Sequence, residues 1–311
     1  MKVEANAKVN FTLEVFGKRA DGYHALRSVV MPISLSDTLD IEVTDDGSIT
    51  SDTGYDDDLC VKAAKALRSA RLFDCLDCSI ARLKGARISV KKRIPAGGGL
   101  GGGSADAAAV LRALNELWKV GLSREELAEI GAQVGSDVPA LVMGGPVVME
   151  GRGEIVKSLE ACACGDLSSE HRSIRSSEHM RTLNLVLVNP GVHSSTKEVY
   201  AACEARPLDG EDATAKMVEA LRAGDVGKIA AALMNDLQTP ALKLHPEIAD
   251  VLVLLRTAGV VGALMSGSGS SVFGLVPDAA SAERIAAELN AHGFRAWPES
   301  SSIPLSNPFV V

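Results

Sequence analysis

Arg93-Ile-Pro-Ala-Gly-Gly-Gly-Leu-Gly-Gly-Gly-Ser-Ala-Asp-Ala-Ala108 decides how the rest of this chain is read. Six glycines fall within the seven residues 97–103, and an alanine-rich run follows at once. Glycines at this density do not fill a core. They let the backbone take positive φ and let a ligand come against the main chain without meeting a Cβ. A helix beyond them presents unpaired N–H groups and the positive end of its dipole to the loop. Free amides feeding a helix N-terminus form a phosphate cradle. A flexible linker is the competing reading. Linkers continue into polar residues, whereas Ala107-Ala-Ala-Val-Leu-Arg-Ala-Leu-Asn-Glu-Leu-Trp118 has the spacing of an amphipathic helix.

Three familiar phosphate loops do not fit. A P-loop ends in Gly-Lys-Ser/Thr, and no lysine stands between Ile94 and Trp118. A dinucleotide fingerprint needs a strand before the glycines and an acidic residue about 20 positions on, at the end of the next strand. Ile88 to Ile94 can serve as the first strand, but the acids downstream lie in a continuing helix and a polar turn. A protein-kinase glycine loop requires a later His-Arg-Asp and Asp-Phe-Gly, and neither occurs.

Composition narrows the class further. The 311 residues are enough for two modest domains, with 46% hydrophobic and 23% charged residues as in an ordinary globular protein. A net charge of −8 leaves no basic stripe for nucleic acid. Met1-Lys-Val-Glu-Ala-Asn-Ala-Lys8 lacks the apolar segment of a signal peptide, and no apolar run reaches the length of a membrane span. A cytoplasmic protein is expected. The six cysteines include Cys75-Leu-Asp-Cys78 and Cys162-Ala-Cys164. These pairs lie too far apart for a zinc ribbon, and nothing near Cys75 resembles a thioredoxin unit, so reduced structural thiols are expected.

The order of elements is mixed. Val3 to Phe16 has strand composition, and Thr38 to Val43 alternates apolar and polar residues. Leu59–Leu72 and Ala105–Trp118 read as helices, and Ser123-Arg-Glu-Glu126 is a capping-box signature. Pro146 to Glu150 and Ile155 to Lys157 return to strand character. The polar stretch 165–181 marks the boundary, and its His171 and His179 read as loop residues without ligand partners. Beyond it, Leu183 to Asn189 is a strand, with helices near Thr214–Ala223, Val226–Met234 and Glu247–Thr257. Val260–Met265 and Val272–Val276 read as strands joined through Ser266-Gly-Ser-Gly-Ser-Ser271, followed by a helix from Ala279 to His292. The domains expected are 1–160 and 182–311, of α+β class, with 161–181 a linker or insertion. The Ser266–Ser271 loop is either a hairpin turn or a second wall of the phosphate site.

Several polar residues admit two readings. Asp137, in Gly135-Ser-Asp-Val-Pro139, is either a general base for an acceptor hydroxyl or a turn cap. Lys8 falls on the same strand face as Asn6 and Asn10, where an exposed lysine is the default. Ser104, at the end of the glycine loop, is a contact for phosphate or Mg²⁺, an N-cap, or both.

Pro95 to Ala108 resembles, almost position by position, the second motif of the galactokinase, homoserine kinase, mevalonate kinase and phosphomevalonate kinase (GHMP) superfamily, Pro-x-Gly/Ala-x-Gly-Leu-Gly/Ser-Ser/Gly-Ser. Ala5-Asn-Ala-Lys-Val-Asn-Phe-Thr-Leu13 resembles its N-terminal motif, and Leu264-Met-Ser-Gly-Ser-Gly-Ser-Ser-Val-Phe273 its C-terminal one. Lys8-Val-Asn10 with Gly17-Lys-Arg-Ala-Asp-Gly-Tyr-His24, Gly135–Pro139 and Gly151-Arg-Gly-Glu154 is similar to the branch of 4-diphosphocytidyl-2-C-methyl-D-erythritol kinases. The chain departs from that branch at Ala140-Leu-Val, where an aromatic pair is usual, and at Gly98.

The resemblance implies a two-domain GHMP kinase fold, an N-terminal ribosomal protein S5 domain 2-like half and a C-terminal ferredoxin-like half with the active site between them. It implies ATP-dependent phosphorylation of the 2-hydroxyl of 4-diphosphocytidyl-2-C-methyl-D-erythritol by a monomer or weak homodimer. ATP is held by Pro95, Ala96, Gly97, Gly98, Gly99, Leu100, Gly101, Gly102, Gly103, Ser104 and Ala105. Asp137 is the base, and Lys8 stabilises its charge and the transferring phosphoryl. Asn10, Tyr23, His24, Thr196 and Tyr200 hold the cytidyl end, with Tyr23 and Tyr200 sandwiching the cytosine. Mg²⁺ comes with ATP, since no carboxylate cluster marks a protein metal site. Two alternatives remain: another kinase of the superfamily, which the Gly22-Tyr-His24 string disfavours, and a non-catalytic binding member, which retention of Lys8, Asp137 and the loop disfavours.

Overall fold

The computed structural model describes residues 1–20, 22–72, 84–159, 180–207 and 212–304. Most of the expected linker, both cysteine pairs, His171 and His179 lie outside these residues, while 180–181 already belong to a strand.

The first sheet is organised around one long strand. β1 (Lys2–Asn10) and β2 (Thr12–Lys18) are followed by β3 (His24–Thr44), which pairs antiparallel with both. Strands β5 (Gly85–Lys91) and β6 (Val147–Gly151) also pair antiparallel with β3. Short strands β4 (Ile49–Ser51) and β7 (Ile155–Ser158) extend the sheet. The Thr38–Val43 pattern is thus only the end of a 21-residue strand. Its earlier part hides its period because residues 29–31 are buried on both faces. The expected strand 3–16 divides at Phe11, and the expected strand 88–94 is placed three residues earlier.

One irregularity matters for the site. Pro32 sits in β3 opposite Lys8, where the β1 register shifts between Asn6 and Lys8. Proline lacks the N–H a ladder needs, so it is found at bulges or edges. A bulge re-aims side chains. Asn6 stays exposed and donates to the Ile33 carbonyl at 3.0 Å. Lys8 and Asn10 turn inward, 4% and 1% exposed. Asn6 therefore does not share one polar face with Lys8 and Asn10, as the strand alternation led us to expect.

Helices α1 (Leu59–Leu72), α2 (Gly102–Leu117), α3 (Arg124–Gly131) and α4 (Val138–Met143) complete the first half. The Ser123 capping box forms as expected, with the hydroxyl accepting from Glu126 N.

The second sheet contains β8 (Met180–Asn189), β10 (Gly262–Met265), β11 (Val272–Val276) and β12 (Arg295–Pro304), all antiparallel in the order β10-β11-β8-β12. Helices α5 (Thr196–Ala201), α6 (Ala213–Ala223), α7 (Val226–Ala232), α8 (Gln238–Leu244) and α9 (Glu247–Thr257) lie between β8 and β10 in the chain, and α10 (Ala279–Ala291) between β11 and β12. This is the β-α-β-β-α-β arrangement of a ferredoxin-like unit. The expected helix 226–234 stops at Ala232. Met234–Asn235 instead form β9, which pairs in parallel with β2 and so joins the first sheet.

That crossing ties the halves together. Phe11 and Phe273 stack with ring centroids 5.4 Å apart in a core shared by both sheets. Glu14 is fully buried on β2. It accepts from Arg206 at 2.8 Å and from the α6 amides of Ala213 and Thr214 at 3.3 and 3.2 Å. A carboxylate at a helix N-terminus satisfies otherwise orphaned donors.

Candidate active site

The glycine loop lines a cleft of about 1220 Å³ together with Gly267 and Ser268 of the Ser266–Ser271 loop, which lies against it. Their contact is too close for side chains. A Cβ on Gly99, whose φ is +74°, would stand 2.1 Å from the Ser266 carbonyl oxygen. Ser266 Oγ donates to the Gly99 carbonyl at 2.9 Å, and Ser271 N to the Gly98 carbonyl at 3.1 Å. The second loop is itself pinned by Asn235, which donates to the carbonyls of Met265 and Gly267, both at 2.8 Å. The Ser266–Ser271 loop therefore does more than turn a hairpin. It backs the first loop.

Helix α2 begins at Gly102, three residues earlier than its sequence pattern indicates, with Gly101 as N-cap at φ +68°. Ser104 is thus inside the first turn and does not cap the helix. It lines the cleft, whereas Ala105 is 2% exposed and faces the core, so it is not part of the cleft wall. One residue of a helix turn separates those two fates.

Lys8 Nζ lies 3.4 Å from Asp137 Oδ2 and donates to Asn10 Oδ1 at 2.7 Å. Asn10 donates to Ser28 Oγ at 2.8 Å, and Ser28 to the Thr12 carbonyl at 2.5 Å. The ammonium is therefore aimed by a buried chain of hydrogen bonds. Asp137 precedes α4 but makes no capping bond. Pro139, at the second position of that helix, supplies no N–H, which removes one donor a capping carboxylate would use. The carboxylate is left for Lys8 and for the cleft. A Cβ on Gly101 would touch Lys8 Cε and Cγ at 3.2 Å and Asp137 Oδ2 at 3.4 Å, which places this pair directly against the glycine loop.

The cleft also carries an aromatic group. His24 and Tyr200 rings stand 5.8 Å apart at 37°, and His24 Nδ1 is 3.1 Å from the Phe16 carbonyl. Burial, followed by the negative charge of Asp137, pushes the Tyr200 phenol up, so its proton is retained. Tyr23 is 56% exposed, with the Arg152 guanidinium 5.5 Å from its ring centroid. Thr196 Oγ1 hydrogen-bonds Ser268 Oγ at 2.8 Å, linking α5 to the second loop.

Sequence reasoning missed a second buried cluster. Lys92 Nζ donates to Asp37 Oδ2 at 2.5 Å and to Asp106 Oδ2 at 2.7 Å. Asp37 is fully buried and Asp106 is 2% exposed. Burial pushes the Asp106 carboxyl up to about 7; Lys92 opposes the rise and Asp37 adds to it. The Lys92 ammonium is also held above its usual value, because the two carboxylates outweigh its burial. Burial thus governs Asp106, whereas the paired carboxylates govern Lys92. His193 was missed as well: a Cβ on Gly97 would stand 2.3 Å from its Nδ1. No local pattern marks these residues, since their partners are distant in sequence.

Residues 58–145 match the GHMP kinases N terminal domain family and residues 217–294 the GHMP kinases C terminal family. A protein of Pelotomaculum thermopropionicum named 4-diphosphocytidyl-2-C-methyl-D-erythritol kinase is 42% identical over 91% of each chain. The crystal structure of a 4-(cytidine 5'-diphospho)-2C-methyl-D-erythritol kinase aligns with TM-score 0.75 and 34% identity over 97% of this chain and 99% of that one. This chain belongs to the 4-diphosphocytidyl-2-C-methyl-D-erythritol kinase family. Its architecture is the two-domain GHMP kinase fold, shared with mevalonate kinase from L. major at TM-score 0.67 and 19% identity, over 99% of this chain and 97% of that one. The residues through which the sequence resembles the family come together in one cleft. Lys8, Asn10, Tyr23, His24, residues 95–104, Asp137, Thr196 and Tyr200 all line it. Among the described residues no helix is long and apolar enough to cross a membrane, and no three His, Cys, Asp or Glu side chains gather as a metal site.

Proposed function

We propose that this kinase transfers the γ-phosphoryl group of ATP to the 2-hydroxyl of 4-diphosphocytidyl-2-C-methyl-D-erythritol, giving the 2-phosphate and ADP. The observation that carries this reading is the Lys8–Asp137 pair set against Gly101 of the loop. Phosphoryl transfer to an alcohol requires neutralised phosphate charge, an aligned hydroxyl and an acceptor for its proton. The loop amides and the α2 N-terminus bind the phosphates. Asp137 accepts the hydroxyl proton, and Lys8 stabilises both that carboxylate and the charge on the transferring group.

Mg²⁺ accompanies the nucleotide in this reading. The Ser104 hydroxyl, in the cleft at the first turn of α2, suits a hard cation held chiefly by phosphate oxygens and water. When bound, the ion would supply neutralisation of phosphate charge. Asn10, Tyr23, His24, Thr196 and Tyr200 hold the cytidyl end. The enzyme acts in the cytoplasm as a monomer or weak homodimer. ATP consumption by the purified protein tests the reading: turnover is expected with 4-diphosphocytidyl-2-C-methyl-D-erythritol and not with homoserine or mevalonate. The reverse preference overturns it.

Tyr200 supplies the sharpest specificity test. The ring is half-buried on α5 beside His24, with Tyr23 exposed at the cleft rim. Stacking of a cytosine on Tyr200, closed by Tyr23, is worth about 1–3 kcal/mol. Tyr200→Ala should therefore lower kcat/KM for the cytidyl substrate by about tenfold to hundredfold, mostly through KM. Calorimetry with CDP checks this. Unchanged CDP affinity in the variant removes the stacking role.

A further inference from the structure

The glycine loop has two ends, and one lysine holds both. β5 ends at Lys91, and Lys92 to Ile94 lead into the loop. Arg93 N and Ile94 N donate to Asp37 Oδ1 at 2.5 and 2.9 Å, which binds the entry of the loop to β3. Lys92 Nζ bonds the other oxygen of that carboxylate and then reaches Asp106, in the second turn of α2 at the exit. Between these anchors lie residues 95–101 and the first glycines of the helix. A Cβ on Gly102 would stand 3.0 Å from Ile94 Cγ2 and 3.5 Å from Lys92 Nζ, so entry and exit pack against one another.

We propose that Asp37, Lys92 and Asp106 are positioning residues, a carboxylate–ammonium–carboxylate clasp that holds the glycine loop in its phosphate-binding shape. Glycine has more backbone freedom to lose than any other residue. A loop with six glycines pays heavily for ordering unless its ends are already fixed, and pre-ordering a loop raises affinity by removing that cost from the binding step. Lys92 and Asp106 also line the cleft, so the ordering of the loop is read without ligand, by exchange. The effect of the clasp falls on whatever the loop binds and spares the aromatic group of the cleft. The assignment of the ligand as ATP rests on the proposed function, whereas the ordering of the loop does not.

Asp106→Ala is the informative variant. It leaves Lys92 paired with Asp37, so no buried charge is stranded, and alanine suits a helix interior. Asp106→Asn is the conservative partner, because its amide oxygen still accepts from Lys92. Amide hydrogen exchange at Lys8 and Ser271, whose N–H groups donate to the Leu100 and Gly98 carbonyls of the loop at 3.0 and 3.1 Å, reads the clasp directly. Exchange there should accelerate about tenfold in Asp106→Ala, and return near wild type in Asp106→Asn, while the Ser123–Gly131 helix is unchanged. Calorimetry then separates the ligands. A non-hydrolysable ATP analogue should bind Asp106→Ala about tenfold more weakly, with CDP affinity unaltered. Unchanged exchange at Lys8 and Ser271 in Asp106→Ala overturns the clasp, as does an equal loss of CDP and nucleotide affinity. Wild-type protein that fails to bind the ATP analogue counts against the proposed function alone, since the exchange measurement still judges the clasp.

Discussion

Asp137→Asn should fold as wild type and lose about 10²–10⁴-fold in kcat, the range for removing a general base. The fold survives because the carboxylate makes no capping bond to α4, and Asn keeps an oxygen that accepts from Lys8. The chemistry does not survive, because a neutral amide takes no proton from the acceptor and leaves the Lys8 ammonium without its counter-charge. Binding of ATP and of the acceptor should change little, so the loss belongs to the chemical step. Initial rates with both substrates saturating, beside a urea unfolding curve, are the measurement. Wild-type turnover from a folded Asp137→Asn protein would remove Asp137 from the mechanism.

Gly101→Val is expected to act on both substrate binding and turnover. The loop reading alone assigns Gly101 to the phosphates, which points to a rise in KM for ATP. The tertiary structure adds a second effect, because the Cβ position of Gly101 faces Lys8 and Asp137 at 3.2–3.4 Å. A β-branched residue at φ +68° is strained by about 1–3 kcal/mol. Relief of that strain moves the loop or the Lys8–Asp137 pair proposed to act in the transfer, and a displacement of about 1 Å in a reacting geometry costs about 10²-fold. We therefore expect kcat to fall about 10²-fold together with a raised KM for ATP. The KM for the cytidyl acceptor, held by other residues, should stay within a few-fold. A change confined to KM for ATP would separate Gly101 from that pair.

The sequence by itself determined where the glycine-rich loop lies, that a helix follows it, and that three motifs spread over the chain belong to one family. These signals are local: glycine density, helical spacing, a capping box and short strings such as Gly22-Tyr-His24. Leu59–Leu72 and the Ser123 cap were legible for the same reason, because capping and amphipathic periodicity act within a few residues. The start of α2 was not, since glycines inside a first helical turn conceal it.

Only the tertiary structure decided which polar residues become chemical groups. Lys8 and Asn6 share a strand parity, yet a bulge opposite Pro32 buries the first and leaves the second in solvent. Asp137 reads equally as a cap until the structure places Lys8, 129 residues away in the chain, at 3.4 Å from it. Asp37, Lys92 and Asp106 carry no motif at all; they meet because β5, which Lys92 follows, and α2 each pack on β3. An ion pair's energy depends on distance and burial, and both are set by packing between segments remote in sequence. Backbone propensity is written residue by residue, whereas the charge environment of a side chain exists only once the chain has folded around it.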